Sequence, residues 1–261
     1  MQNYLFVSDF DKTLSVQDAG ELLSRKIGIP SGKFFEKIEG LMQKAITKHG
    51  AELTYLILHD SHYQGKVNKR LLSEVGSEIQ LKRNIPKLIK ILSNGVEGKR
   101  FRFHVISAAP HEIVVRALKG ILPPANVHTT KLIYDKNGIV RDVKRVAAGS
   151  MKLDILNRVR AREKIPLNRT IYVGDGFSDM YIMLHLRVYD GYPIGVTPSP
   201  YIGHVSKRTV VSEDALSLLI PILEDILKFS PERIQSFFEE LGHPIQNWRK
   251  AKVEWVELLK T

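Results

Sequence analysis

Short apolar runs alternate with segments of helical periodicity along most of the chain. Residues 4–8 form such a run, which ends at a carboxylate. Similar runs follow at residues 102–107, 127–130, 170–174, 193–196 and 209–211. Their length and their aromatic and β-branched content are typical of buried strands. The pair Asn137-Gly138, between two strand-like runs, predicts a tight hairpin.

The stretch between the first two runs has a different pattern. Apolar residues recur there at helical spacing, as in Phe34, Ile38 and Leu41, without a strong strand signal. Alternation of strands and helices elsewhere predicts an α/β fold, a doubly wound parallel sheet with helices on both faces. We therefore predict a core of residues 1–14 and 100–230, an all-helical insertion at 15–99, and C-terminal helices at 231–261 that pack on the core.

The composition of the chain excludes several classes of protein. The 261 residues contain no cysteine, which excludes disulfides and cysteine-ligated metal sites. No apolar run approaches the roughly 18 residues of a membrane span, and the N-terminus lacks the features of a signal peptide. We expect a cytoplasmic protein that does not enter the membrane. The net charge of +11 indicates an anionic partner without identifying it.

Polar side chains stand at the ends of three predicted strands. Asp9 and Asp11 follow the first strand, Ser107 ends the second, and Asp175 follows the strand at 170–174. In open parallel sheets, ligands bind beyond the carboxyl ends of the strands. The sequence therefore places a candidate site at this edge of the sheet.

These residue types fit phosphoryl transfer. An aspartate can attack phosphorus, and a second carboxyl group nearby can protonate the leaving oxygen. Asp175 and Asp179, four residues apart, offer hard oxygen ligands of the kind that Mg²⁺ prefers. Each pair alone is also common in surface turns and helix caps.

Two further features offer phosphate contacts. The hydroxyl of Ser107 and the amide of Ala108 precede a predicted helix, where free N–H groups bind anions. Lys152, just inside the next predicted helix, could neutralise the charge of the phosphate. A single helix cap or a single lysine is more often structural.

The order of these motifs along the chain resembles the haloacid dehalogenase superfamily of phosphohydrolases. The resemblance covers about residues 1–14 and 100–212. The helical insertion between the first two motifs resembles the small cap of the phosphoserine phosphatase-like branch. The resemblance therefore implies a core with a Rossmann-like sheet and an inserted helical cap.

The resemblance also implies a role for each motif residue. Asp9 would be the nucleophile, and Asp11 the general acid and base, with its main-chain carbonyl on Mg²⁺. Asp9 and Asp175 would be the other protein ligands of Mg²⁺, with Asp179 supporting them. Ser107 and Ala108 would hold phosphate oxygens, and Lys152 would steady the charge.

The expected reaction is Mg²⁺-dependent hydrolysis of a small phosphate monoester through an aspartyl-phosphate on Asp9. Phosphoserine phosphatases have a glutamate nine residues after the nucleophile, where it meets the substrate ammonium. Here that position is Asp18, which we expect to contact the substrate. The side chain is one methylene shorter, so the resemblance does not identify the substrate beyond a small phosphorylated metabolite.

Two alternatives stay open at this point. A phosphotransferase or mutase on the same scaffold would pass the phosphoryl group to a second substrate instead of water. A non-catalytic protein that binds an anionic ligand or nucleic acid would explain the positive charge. The helical insertion lacks the interleaved aromatic residues expected for nucleic-acid recognition, and binding alone needs no acid/base aspartate. The sequence leaves the oligomeric state open.

Overall fold

A computed structural model describes residues 2–44 and 49–245. Its centre is a seven-stranded sheet with the strand order β4-β3-β2-β1-β5-β6-β7, parallel throughout except for β4, which runs antiparallel to β3. The strands are β1 (Gln2–Ser8), β2 (Lys99–Pro110), β3 (Val127–Tyr134), β4 (Val140–Arg145), β5 (Thr170–Gly174), β6 (Tyr192–Gly195) and β7 (Arg208–Thr209). The predicted fold class is confirmed.

Helices join the strands. Between β1 and β2 lie α1 (Ala19–Lys26), α2 (Ser31–Gln43), α3 (Glu52–His59), α4 (Lys69–Glu78) and α5 (Ile85–Asn94). The later helices are α6 (His111–Ala117), α7 (Ser150–Glu163), α8 (Met180–Val188) and α9 (Pro200–Val205). None of the helices that the structure describes is long and apolar enough to cross a membrane.

The segment before α1 and the segment after α4 are paired with each other. The N–H of Val16 donates to the carbonyl of Gln80, and the N–H of Lys82 donates to the carbonyl of Leu14, each at 2.8 Å. These bonds pair two linker segments in antiparallel fashion, with Ser15 opposite Leu81. The first linker directly follows Asp9 and Asp11, and the second is paired to it. This pairing couples α1–α4 to the end of β1.

Helix α4 packs closely on α6. A side-chain carbon added at Gly76 would lie 2.4 Å from the carbonyl oxygen of Ile113 and 2.8 Å from Cβ of Arg116. Arg116 also donates a 2.7 Å hydrogen bond to the hydroxyl of Ser77. Glycine at position 76 therefore permits a close backbone approach that a larger residue would prevent.

The hydrophobic core lies against the central strands. Leu5, Val7 and Tyr172 on β1 and β5 pack with Leu156 and Ile182 on the helices that cover this face. All five side chains are buried, and burying one such apolar side chain contributes about 1.5–3 kcal/mol. This packing fixes the strand ends that carry the motif residues.

The chain divides into two compact units, residues 1–215 and 216–261. A helical turn over Ala215–Leu218 includes the boundary between the units. In the second unit, α10 (Leu219–Pro221) and a π-type turn over Ile222–Ile226 precede α11 (Pro231–Glu240). A further predicted helix in the tail lies outside the described residues. The predicted division into core, insertion and packed tail stays a prediction.

Candidate active site

The carboxyl ends of β1 and β5 bring three carboxylates together. The two strands pair in parallel, with Ser8 opposite Val173, and the N–H of Asp9 donates to the carbonyl of Val173 at 2.8 Å. Each of Asp9, Asp175 and Asp179 offers a carboxylate oxygen, and these oxygens all lie within 4.8 Å of one another. Strand pairing thus joins motifs that are more than 160 residues apart in the sequence.

The ammonium group of Lys152 lies at the centre of this cluster. It donates hydrogen bonds of 2.9 Å to Oδ1 of Asp9, 2.7 Å to Oδ1 of Asp179 and 3.1 Å to the hydroxyl of Ser178. Lys152 comes from the first turn of α7 and is completely buried. A buried lysine is stable only with such partners, because its charge has lost the solvation of water.

Asp179 has partners on both carboxylate oxygens. Besides the bond from Lys152, its Oδ1 accepts a 2.6 Å bond from the hydroxyl of Tyr172, and its Oδ2 accepts from the N–H groups of Asp175 at 3.2 Å and Gly176 at 3.3 Å. A side-chain carbon at Gly174 would lie 2.5 Å from Oδ2 of Asp179, so glycine is required there. Asp179 therefore holds the loop and Lys152 in place.

The cluster carries more negative charge than Lys152 compensates. Burial, followed by repulsion from Asp179, raises the pKa of Asp9 to about 7, although Lys152 lowers it. Burial and the charges of Asp9 and Asp179 raise the pKa of Asp175 to about 8. Burial alone would lower the pKa of Lys152, but the two carboxylates raise it above its usual value, so the lysine stays charged.

Asp11 and Asp18 meet at the start of α1. Oδ1 of Asp11 accepts a 2.8 Å bond from the N–H of Ala19. Oδ1 of Asp18 caps the helix by accepting from the N–H groups of Gly20 at 2.9 Å and Glu21 at 3.1 Å. Burial and the charges of Asp18 and Asp9 raise the pKa of Asp11 well above its usual value. A carboxyl group with such a pKa suits proton donation.

Ser107 and Ala108 lie where β2 passes into α6. The hydroxyl of Ser107 is buried and accepts a 3.1 Å bond from the N–H of Ala109, whereas Ala108 is half-buried. The bond organises the turn whose amides were predicted to hold phosphate. Because β2 pairs with β1, this turn lies at the same edge of the sheet as Asp9.

The turn before α3 covers part of this edge. A side-chain carbon at Gly50, which has φ +92°, would lie 2.9 Å from Cβ of Ser178, 3.2 Å from Cβ of Ala148 and 3.5 Å from Cβ of Ala108. The ring of His49 lies 5.9 Å from that of Phe177, measured between centroids. The helical insertion therefore contacts the loops that surround the cluster.

The structure brings Asp9, Asp175, Asp179 and Lys152 into direct proximity. It gives Asp18 a helix-capping contact, and the predicted contact of Asp18 with substrate stays a prediction, as do the other assigned roles. Sequence reasoning missed Tyr172, whose hydroxyl bonds to Asp179, because an aromatic residue inside an apolar strand predicts only core packing. It also missed the Gly50 turn, for which the sequence offers no signal beyond a helix stop.

Comparison with known proteins agrees with this arrangement. The family model of the haloacid dehalogenase-like hydrolases matches residues 6–184. This chain belongs to that family. The match confirms the predicted family and the prediction of an enzyme of the hydrolase class. No curated protein matches the sequence significantly.

Solved structures of haloacid dehalogenase-like proteins share the fold. A phospho-aspartyl intermediate analogue of phosphoserine phosphatase matches with a TM-score of 0.67 and 19% identity, over 84% of this chain and 98% of that one. A HAD family hydrolase from Salmonella enterica serovar Typhi matches with a TM-score of 0.69 and 17% identity, over 85% and 71%. A phosphoserine phosphohydrolase-like protein from Francisella tularensis matches with a TM-score of 0.62 and 19% identity, over 84% and 98%.

Proposed function

We propose that this member of the family is a Mg²⁺-dependent phosphatase that hydrolyses small phosphate monoesters through an aspartyl-phosphate on Asp9. The observation that carries the proposal is the buried contact of Lys152 with Asp9, next to the carboxylate of Asp175. The names of two of the similar structures, phosphoserine phosphatase and a phosphoserine phosphohydrolase-like protein, support a phosphatase. Absence of cysteine fits a reducing compartment, and we propose the cytoplasm.

The donor set fits a divalent cation. Burial raises the pKa of Asp9 and of Asp175, and so do neighbouring carboxylates, Asp179 for Asp9 and both Asp9 and Asp179 for Asp175. A bound cation would compensate this buried negative charge. Hard carboxylate oxygens suit Mg²⁺. We propose Asp9, Asp175 and the carbonyl of Asp11 as ligands, with Asp179 as support because both of its oxygens are already bonded. The bound metal would neutralise charge on the phosphate.

Asp9 attacks phosphorus with Oδ2, since Oδ1 accepts the bond from Lys152. A bond forms between this oxygen and phosphorus, and the ester P–O bond breaks. The leaving oxygen takes a proton from Asp11, whose raised pKa keeps that proton in place beforehand. Lys152 holds the nucleophile in one orientation, which suits a reaction that depends mostly on positioning and charge neutralisation.

Hydrolysis of the aspartyl-phosphate completes the cycle. Water attacks phosphorus and gives its proton to Asp11, and the bond between Asp9 and phosphorus breaks to release inorganic phosphate. The bond from Ala19 fixes the carboxyl group of Asp11 for both proton transfers. Ser107 and the amide of Ala108 hold phosphate oxygens in both steps, as the position of their turn allows.

Helices α1–α4 act as the cap of this site. They begin and end at the paired linkers around Ser15 and Leu81, and their Gly50 turn lies against Ala108 and Ser178. A cap at this place excludes water from the reacting groups. It limits the substrate to a small molecule.

Phosphate release tests the proposal. The purified chain is incubated with single phosphorylated metabolites, with Mg²⁺ or with EDTA, and free phosphate is measured. We expect release that needs Mg²⁺ and is lost in Asp9→Asn. Transfer to a second substrate without free phosphate would favour a phosphotransferase, and metal-independent release would contradict the assigned ligands.

A further inference from the structure

Helix α8 is apolar on two opposite faces. Its nine residues are apolar or aromatic apart from His185 and Arg187. The inner face packs in the hydrophobic core through three completely buried side chains, Ile182, Met183 and Leu186. The outer face presents three exposed side chains at helical spacing, Tyr181, Leu184 and Val188. A helix that is apolar all round is normally covered on every side, so the outer face of α8 needs an explanation.

The outer face of α8 continues into a larger exposed patch. Phe177 precedes Tyr181 by about one helical turn, and the ring of Tyr201, on α9, lies 5.6 Å from that of Phe177 between centroids. The following five side chains, which we call the α8 patch, are each between 43% and 74% exposed: Phe177, Tyr181, Leu184, Val188 and Tyr201. Since a large side chain has roughly 150–250 Å² of surface, together they expose on the order of 500 Å². The largest apolar patch of a typical monomer has about this area and is often functional.

The α8 patch carries no charge. Arg187 is the charged side chain of α8, and it donates hydrogen bonds to the carbonyl of His204 and, at 3.3 Å, to the carbonyl of Ser206 at the end of α9. The patch therefore offers no attractive charge to an anionic partner, although the net charge of the chain is +11. Depletion of charge and enrichment in aromatic residues are typical of the centre of a protein–protein interface.

The α8 patch is complementary to a second copy of itself. Tyr181, Leu184 and Val188 span about 10 Å along the helix, at about 1.5 Å per residue, with Leu184 near the middle. When two α8 helices pack in antiparallel fashion about a two-fold axis near Leu184, Tyr181 of each copy lies opposite Val188 of the other. Both copies then bury the same apolar row. The two Arg187 side chains do not oppose this packing, because each is bound to the end of its own α9.

The area of the α8 patch matches what a dimer requires. A standard interface buries about 800 Å² on each partner, of which about 65% is apolar in homodimers. The patch, with on the order of 500 Å² exposed, supplies that apolar share. We propose that the chain forms a two-fold symmetric homodimer through the α8 patch. The interface adjoins the catalytic loop, since Phe177 follows Asp175 by two residues, but it contains none of the residues assigned to the reaction.

Sedimentation velocity of the full chain tests the proposal. Interfaces of standard size have Kd values from about 1 µM to about 1 pM, so we expect a dimer at chain concentrations above about 10 µM. Leu184→Glu would bring two like charges together at the axis and should weaken dimerisation by about 100-fold or more. Ile133→Glu is the matched control, because Ile133, on β3, is 42% exposed and Leu184 is 45% exposed. It should leave the dimer unchanged.

Cross-linking locates the interface with a milder substitution. The chain contains no cysteine, so Leu184→Cys and Ile133→Cys each introduce a single thiol. With a short bismaleimide, Leu184→Cys should give a covalent dimer in high yield, whereas Ile133→Cys should give little. Thermal melting of all four variants shows whether each one retains the fold of the wild-type chain.

Several results would overturn the proposal. One is a chain that stays monomeric well above the expected concentration, and another is a dimer that forms equally well in folded Leu184→Glu. Equal cross-linking of the two cysteine variants would place the contact elsewhere. A monomer that sediments with phosphatidylglycerol vesicles, and loses this binding in Leu184→Glu, would assign the α8 patch to a lipid surface instead of a second copy.

Discussion

Lys152 donates a hydrogen bond of 2.9 Å to Asp9, although the two residues are 143 positions apart in the sequence. Both side chains are buried, and β1, which ends just before Asp9, is a central strand of the sheet. The contact exists only when the sheet and α7 are packed together. It therefore couples the nucleophile to the stability of the whole core.

Removal of the lysine charge tests this coupling. Lys152→Met leaves Asp9 and Asp179 buried without a counter-charge, and breaking a buried pair in this way costs about 3–5 kcal/mol. The free energy of unfolding, from urea titration, should fall by that order. In the double variant Lys152→Met/Asp179→Asn, one of the two carboxylate charges is gone. Part of the stability should return while phosphatase activity stays absent, and an unchanged stability in the single variant would contradict the assigned contact.

Asp11→Asn should separate the two chemical steps. Loss of the acid slows cleavage of alkyl phosphates by about 10²–10⁴-fold, because the leaving oxygen receives no proton. With p-nitrophenyl phosphate the leaving group needs little protonation, so the first step stays fast and the second becomes slow. Stopped-flow absorbance should then show a burst of p-nitrophenolate, roughly equal to the enzyme concentration. Equal slowing of both substrates without a burst would argue against this role.

Gly76→Ala should loosen the packing of the cap on α6. The new methyl group would lie 2.4 Å from the carbonyl oxygen of Ile113, and overpacking of this kind costs about 1–3 kcal/mol. Gly40→Ala is the matched control, since nothing lies within 4 Å of a carbon added there and alanine favours a helix by up to about 1 kcal/mol. Melting temperature should fall for the first variant and stay or rise for the second. An unchanged melting temperature in Gly76→Ala would show that α4 does not pack as described.

The His104–His128 pair should make the chain sensitive to acid. Nδ1 of His104 lies 3.2 Å from Nε2 of His128, and burial, with the charges of Arg162 and Arg102, lowers the pKa of His104 to about 4. In the unfolded chain, His104 takes up a proton below about pH 6.5. In the folded chain, it does so only near pH 4. The contribution of neutral His104 to the free energy of unfolding is therefore fully present above pH 6.5 and is lost as the pH falls toward 4.

Comparison with His104→Asn isolates this contribution from that of the catalytic carboxylates. The difference in the free energy of unfolding between the wild-type chain and the variant should shrink by about 2 kcal/mol between pH 7 and pH 5. Denaturant titrations at both pH values measure it. A difference that stays constant or grows toward pH 5 would show that His104 is not held neutral.

Sequence patterns predicted the central strands well, because β1, β5 and β6 each contain a short apolar run bounded by polar or turn residues. The polar strand β4 and the two-residue strand β7 offer a weaker signal, and the predicted run at 209–211 overlaps β7 only at Thr209. The run at 4–8 and that at 170–174 correspond closely to β1 and β5, and the hairpin at Asn137-Gly138 joins β3 to β4. Helix α9 was not predicted, because its six residues are too few for helical periodicity to emerge. The pairing of the two linkers was not predicted either, since it depends on contacts between segments about 65 residues apart.

The residues of the candidate site could likewise be predicted only where they belong to a sequence motif. Asp9, Asp175, Asp179 and Lys152 stand in recognisable motifs, and the structure places them together. Tyr172 and Gly50 could not be predicted, because their relation to the site arises only from the packing of the sheet and the cap.

The central claim is that Asp9 carries the phosphoryl group during turnover. Chain mixed with Mg²⁺ and a hydrolysed phosphomonoester, quenched in acid within milliseconds, can be analysed by intact mass and peptide mass spectrometry. We predict one phosphoryl group on the peptide that contains Asp9, and none in Asp9→Asn, which should also be inactive. A phosphoryl group on another residue, or undiminished turnover by Asp9→Asn, would contradict the account.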